Sequence, residues 1–469
     1  MEHRVEKDYL GEKQVPADAY YGIQTVRAQE NFPITGYPPH NALIEAFGYV
    51  KKSAAMANRD VGSLNKSIAS AVIKAAEEVI EGDFNDQFVV DAIQGGAGTS
   101  INMNANEVIA NRAIEILGYE KGEYDRLSPN THVNMAQSTN DTFPTAIHIA
   151  ALNLAKGLED VLEEVIDTLK KKEKEFDDVI KMGRTHLQDA VPIRLGQEIG
   201  AYRRMLERDL ARIERALDNL NDINMGATAV GTGLNAEPDY IETVAKYLAD
   251  LTGLNLRKAD DLVDATQNTD AYTELSGSLK VLAINLSKMS NDLRLMSSGP
   301  RTGLNEINLP ARQPGSSIMP GKVNPVMCEV INQISFQVSG NDQTISLASE
   351  AGQLEINVMG PVLVFNLLQS LSVLENGLNV FRRYTLEGMS ANVEEAKDMV
   401  HKSVGIITAI NPHVGYEVAS RVAKEALESD RSVKDICIER GILSEEELEE
   451  ILDPQEMTNP GIAGARFME

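Results

Sequence analysis

The chain has 469 residues and a formal charge of −26, long enough for about three domains by the usual size prior. So acidic a balance excludes nucleic acid and acidic membranes as partners, and an anionic substrate would need a local pocket of donors. Two cysteines, Cys328 and Cys437, and seven scattered histidines supply neither a disulfide framework nor a metal-ligand spacing, so no metal and no cofactor are expected. The opening MEHRVEKDYLGEK lacks the apolar core of a signal peptide, and no run reaches membrane-spanning length. A cytoplasmic location is expected.

Residues 1–140 form a mixed, mostly helical first region, with helices predicted near 41–58, 66–81 and 104–117 between Gly, Asn and Pro clusters. Residues 141–394 carry the long helices of a central bundle. The first is predicted near 147–179. In the second, Ile199, Tyr202, Leu206, Leu210, Ile213, Leu217 and Leu220 recur at three- and four-residue steps. The third is stricter, with Leu275, Leu279, Leu282, Leu286, Met289, Leu293 and Met296 on one stripe, the pattern of near-parallel helix packing. A fourth follows Pro325, and a fifth runs from Pro361 to about Arg383, its proline tolerated in the first turn. Residues 395–469 hold shorter helices, the last opened by a capping box of Ser444 and Glu447.

Four segments are rich in hydroxyl, amide and glycine: Gly95–Asn104, Gln137-Ser138-Thr139-Asn140-Asp141, Gly183–Asp189 and Gly315-Ser316-Ser317-Ile318-Met319-Pro320-Gly321-Lys322-Val323-Asn324-Pro325. Each alone has a bland reading: an N-cap, a turn, or a structural histidine at His186. Gly226–Gly233 is no phosphate loop, because the Gly-Lys-Ser/Thr ending is missing. Together they supply hydroxyls, amides and a cation able to cradle a carboxylate. The loop around Ser316 offers a base, donors and one cation, a set suited to removing a proton beside a carboxylate. A helix over 147–179 would be roughly 50 Å long. Ser138–Asn140 lie before its start and Thr185 and His186 beyond its end, so they serve different sites or one site assembled from several subunits. A symmetric oligomer is the favoured solution.

The motifs GSSIMPGKVNP (315–325), GRTHLQDAVP (183–192), QSTNDTFPTA (137–146) and GATAVGTGLN (226–235) stand in an order that resembles the aspartase/fumarase superfamily, from about Val5 to the C-terminus. The resemblance implies a mainly α, three-domain fold and a homotetramer with a central twenty-helix core. It also implies active sites that each draw on three subunits. Gly95–Ser100 and Asn224–Ala229 are similar to the aspartase branch rather than to class II fumarase, the alternative. That branch implies reversible loss of ammonia from L-aspartate to give fumarate, through Cβ deprotonation and an aci-carboxylate. By the same resemblance Ser316 is the base, and Ser138, Thr139 and Ser317 are donors to the β-carboxylate. Thr185, Lys322 and Asn324 would hold the α-carboxylate, and Thr99, Asn140 and His186 the amino group. Glu329 would orient His186. Three residues depart from the expected pattern: Gly360 where glutamate is usual, Arg194 in place of an apolar or hydroxylic residue, and Cys328, which is more typical of fumarases.

Overall fold

The structure, a computed structural model, describes residues 2–468. The chain begins with the antiparallel hairpin of β1 (His3–Asp8) and β2 (Gly11–Pro16), followed by α1 (Ile23–Asn31), α2 (Asn41–Asp60), α3 (Lys66–Ile80) and α4 (Thr99–Ile116). Next come α5 (Thr139–Glu175), a second antiparallel hairpin of β3 (Ile180–Thr185) and β4 (Gln188–Arg194), and α6 (Leu195–Asp218). Helices α7 (Pro238–Thr252), α8 (Asp264–Gln267), α9 (Asp270–Met296), α10 (Val326–Glu350) and α11 (Gly360–Phe381) continue the chain. The tail contains α12 (Val393–Lys402), α13 (Asn411–Val414), α14 (Tyr416–Ser429), α15 (Val433–Glu439) and α16 (Glu445–Ile451). The mostly helical class expected from the periodicities is observed.

The chain divides into two compact units: residues 1–160, 209–284 and 334–376, and residues 161–208, 285–333 and 377–469. In the first, α2 packs against α3 and α7, and α3 against α4. The faces that meet are apolar: Phe47, Val50 and Ala54 of α2, and Val72, Ala75 and Val79 of α3, are fully or almost fully buried. In the second unit, α12 lies on β3, and the tail closes around Ile410, Val422, Ile436, Leu448 and Ile451.

The α9 stripe from Leu275 to Met296 is buried along its whole length. The α6 stripe is buried too, except that Leu210 is only partly covered. Pro361 sits in the first turn of α11, and the capping box of Ser444 and Glu447 is present.

Helix α5 differs from expectation, starting at Thr139 and continuing through Pro144. A proline inside a helix removes the N–H that the carbonyl four residues earlier needs. Here that carbonyl belongs to Asn140, and the Asn224 side chain donates to it at 2.9 Å. A residue distant in sequence repairs the defect, and the helix extends back to the Ser-Thr-Asn-Asp segment.

Candidate active site

In the first unit the start of α5 is a doubly used helix N-terminus. Ser138 Oγ accepts from the backbone N–H of Asn140 at 3.2 Å, and Asp141 Oδ1 accepts from the N–H of Ser138 at 2.8 Å. The bland N-cap reading of this segment is therefore true. It leaves Thr139 unaccounted for, because Thr139 Oγ1 takes no part in the cap and instead accepts from Asn102 Nδ2 at 3.1 Å.

Asp141 is fully buried, and its Oδ2 accepts from the N–H groups of Gly226 and Thr228 at 3.1 and 3.0 Å. Burial pushes its carboxyl up to about 7, opposed by the backbone donors of Ser138, Thr228 and Gly226 and by the charge of Lys51. Asn140 Nδ2 donates to the carbonyl of Ala229 at 2.7 Å. The Gly226–Gly233 segment thus serves as a backing for the start of α5. Thr99 opens α4, exposed, with its hydroxyl donating to the carbonyl of Gly96 at 2.7 Å.

Gly98 and Gly360 are both required by one ring. A Cβ on Gly98 would lie 2.4 Å from Cδ1 of Phe143, and one on Gly360 would lie 2.9 Å from its Cε1. The departure at Gly360 is thereby explained: Phe143 occupies the space that a side chain would need.

In the second unit the serine loop is tied at its neck. Gly315 N–H donates to the carbonyl of Lys322 at 2.7 Å, and Asn324 Nδ2 donates to the carbonyl of Gly315 at 2.9 Å. Gly321 adopts φ +82, open to glycine at little cost. Inside the loop Ser316 Oγ accepts from the N–H groups of Ile318 and Met319, both at 3.2 Å. Two backbone dipoles therefore point at the oxygen that resemblance assigns as base. Ser317 and Lys322 are exposed at the loop surface. Lys322 and Asn324 also line a cleft of about 710 Å³ together with Arg294, Asn291 and Glu329.

Thr185 and His186 occupy the tip of the β3–β4 hairpin, where Thr185 pairs with Gln188 across a two-residue turn. Both turn residues, His186 and Leu187, have positive φ, 55 and 59. That is the type I′ pattern, normally filled by glycine or asparagine. Two bulky residues there store strain, and such strain clusters at functional sites. The base of the hairpin is firm: buried Glu306 pairs with Arg184 at 2.6 Å and Lys181 at 3.3 Å. Among the described residues no hydrogen bond joins His186 to Glu329 or to the serine loop.

Arg194 also acquires a role. It pairs with Asp177 at 3.1 Å and donates to Asn459 Oδ1 at 3.2 Å, holding the 458–459 segment against the end of β4. Cys328 is buried, and burial pushes its thiol up to about 12, which makes it unreactive.

One prominent group escaped the sequence reading. Lys51 is completely buried, with Nζ 2.7 Å from Asn102 Oδ1, 2.9 Å from Gln137 Oε1 and 3.1 Å from Asn134 Oδ1. Its helical phase, four residues after Phe47 and four before Ala55, was the available signal.

The chain matches the family described as Lyase over residues 11–340, and the family described as Fumarase C C-terminus over residues 406–459. It is 64% identical over 468 residues to aspartate ammonia-lyase of Bacillus subtilis (strain 168), covering 100% of this chain and 98% of that protein. The chain belongs to the aspartate ammonia-lyase family. The enzyme of that name from Escherichia coli (strain K12) is 46% identical, with 99% of this chain and 98% of that protein covered. Among solved structures, fumarate lyase:delta crystallin from Brucella melitensis bound to cobalt superposes with a TM-score of 0.95 at 46% identity, over 98% of this chain and 100% of that one. Recombinant class II fumarase from Schistosoma mansoni gives a TM-score of 0.94 at 36% identity, over 98% of this chain and 100% of that one. These two aspartate ammonia-lyases share 64% and 46% identity with the chain and the fumarase 36%, the order that the segments around Gly95 and Asn224 lead one to expect.

Proposed function

We propose that this member of the aspartate ammonia-lyase family eliminates ammonia from L-aspartate to give fumarate, reversibly, with Ser316 as the base. The Cβ proton is barely acidic unless the adjacent β-carboxylate takes up the carbanion's charge. Ser138, Thr139 and Ser317 donate to that carboxylate and act as an oxyanion hole as it becomes an enediolate. Ser316 removes the Cβ proton as its alkoxide, the C–N bond then breaks, and the double bond of fumarate forms. Lys322, Thr185 and Asn324 hold the α-carboxylate, while Thr99, Asn140 and His186 hold the amino group.

The observation that carries this reading is the pair of N–H groups, from Ile318 and Met319, aimed at Ser316 Oγ. An alcohol is a poor base, and backbone dipoles with a nearby cation lower the cost of its alkoxide. Asn324 has a second duty, since its amide already ties the loop neck.

Helix α5 has 37 residues and at the usual rise spans roughly 55 Å, with Thr139 at one end and the hairpin of Thr185 and His186 beyond the other. This supports a homotetramer in which three subunits build each site. The exposed, strained His186-Leu187 tip suits insertion into a neighbouring subunit. The free cysteines support a cytoplasmic location; among the described residues no helix is long and apolar enough to cross a membrane.

Fumarate's ultraviolet absorption tests the reaction. It should rise with L-aspartate and not with L-malate; a rise with malate alone would make the chain a fumarase, and no rise with either a non-catalytic scaffold. Mixing the impaired Thr139→Val and the inactive Ser316→Ala tetramers under subunit exchange should raise activity above that of either alone. No recovery would contradict shared sites.

A further inference from the structure

The buried cation at Lys51 has no part in the assignments above, yet one of its hydrogen-bond partners, Asn102, bonds in turn to Thr139, a proposed oxyanion donor. An ammonium has three protons and no acceptor. All three are matched by amide oxygens, those of Asn102, Asn134 and Gln137. That set of acceptors fits the charged form of lysine and fixes the orientation of Asn102, whose Oδ1 faces Lys51. Its Nδ2 consequently faces Thr139 Oγ1, at 3.1 Å.

A threonine hydroxyl has one proton to give and two lone pairs. Thr139 Oγ1 already accepts from Asn102, which occupies one lone pair and leaves its proton free to be given. We infer that Lys51 is a positioning residue for ammonia elimination: through Asn102 it orients the Thr139 hydroxyl to donate to the β-carboxylate and places a positive charge behind the developing enediolate. This rests on the assignment of Thr139 proposed above.

The position makes sense of an otherwise costly arrangement. Burying an ammonium without a directly bonded carboxylate is unfavourable for stability, and burial pushes Lys51 down to about 7 against the partial support of Asp141. A purely structural role would be served better by an apolar side chain on α2 between Phe47 and Ala55. A fixed charge near a site where charge develops acts mainly on the transition state.

Kinetics of Lys51→Met, Asn102→Asp, Thr139→Val and the Lys51→Met/Thr139→Val double variant test the relay. Succinate serves as a ground-state dicarboxylate, and 3-nitropropionate, whose ionised nitronate copies the enediolate, as an intermediate analogue. Asn102→Asp keeps the side-chain shape and a partner for Lys51 but cannot donate to Thr139, so it carries the test if Lys51→Met does not fold.

Both Lys51→Met and Asn102→Asp should lower kcat by about ten- to a hundredfold, less than loss of a direct oxyanion donor at the upper end. KM should change less than about threefold. Nitronate affinity should fall in proportion to kcat while succinate affinity is retained, and the double variant should be no slower than Thr139→Val. Unchanged kcat, equal weakening of succinate and nitronate, or multiplicative losses in the double variant would each overturn the relay. Nitronate affinity unaffected by Thr139→Val would instead overturn the assignment of Thr139 itself, and the relay with it.

Discussion

Asn224 donates from Nδ2 to the carbonyl of Asn140 at 2.9 Å, the one carbonyl of α5 that Pro144 deprives of its helical partner. The bond lets a helix continue through a proline and brings the Ser138–Asp141 segment into the first turn. Replacing Asn224 with Leu leaves that carbonyl, and Thr266 and Thr145, without this partner. Loss of about 1–3 kcal/mol is expected for a buried group left unsatisfied, read as a lower thermal midpoint. KM for aspartate should rise as the helix start loosens.

Gly360 faces Phe143, and so does Gly98. Introducing the glutamate expected by resemblance, Gly360→Glu, should destabilise the chain by about 1–3 kcal/mol through overpacking. Pairing it with Phe143→Leu should recover much of that loss in denaturant unfolding, since the atoms nearest to a Cβ at this position all belong to the ring.

His148 is mostly covered, with Nδ1 2.8 Å from the carbonyl of Leu220, and loss of solvent pushes its imidazole down to about 4. The unfolded chain binds this proton near pH 6.5 and the folded chain only near 4. Its contribution is therefore complete above about pH 6.5 and is lost as pH falls towards 4, by roughly 3 kcal/mol in all. Buried Glu107 acts with opposite sign: burial pushes it up to about 7, so its contribution declines as pH rises from 4.5 to 7. Thermal midpoints of wild type and His148→Gln across pH 4–7 separate the two, the variant showing the smaller loss on acidification.

Lys322 is exposed on the serine loop and lines the same cleft as Arg294. As the proposed ligand of the α-carboxylate it contributes to binding before and during reaction, so Lys322→Ala should raise KM by at least tenfold, about 1.4 kcal/mol or more. The smaller change should fall on kcat. An unchanged KM in steady-state kinetics would remove Lys322 from this role.

Much of the scaffold was legible because its determinants are local. The stripes of α6 and α9 repeat in sequence, and Ser444 lies three residues from Glu447. What escaped depends on partners far along the chain. The first long helix was expected only from about 147 because the bond that carries it through Pro144 comes from Asn224, and Lys51 escaped because Asn102, Asn134 and Gln137 satisfy it from other elements. The His186-Leu187 turn escaped for a third reason: its conformation opposes the local preference of both residues. Arg194 gained its account only when the 458–459 segment folded back beside it.

The central claim is that Ser316 takes the Cβ proton of aspartate within the cradle of Ile318 and Met319 N–H groups. Fumarate formation from L-aspartate by wild type and Ser316→Ala, with folding checked by circular dichroism, measures it most directly. A folded variant whose turnover is abolished is the predicted result; a folded variant retaining substantial activity would contradict it.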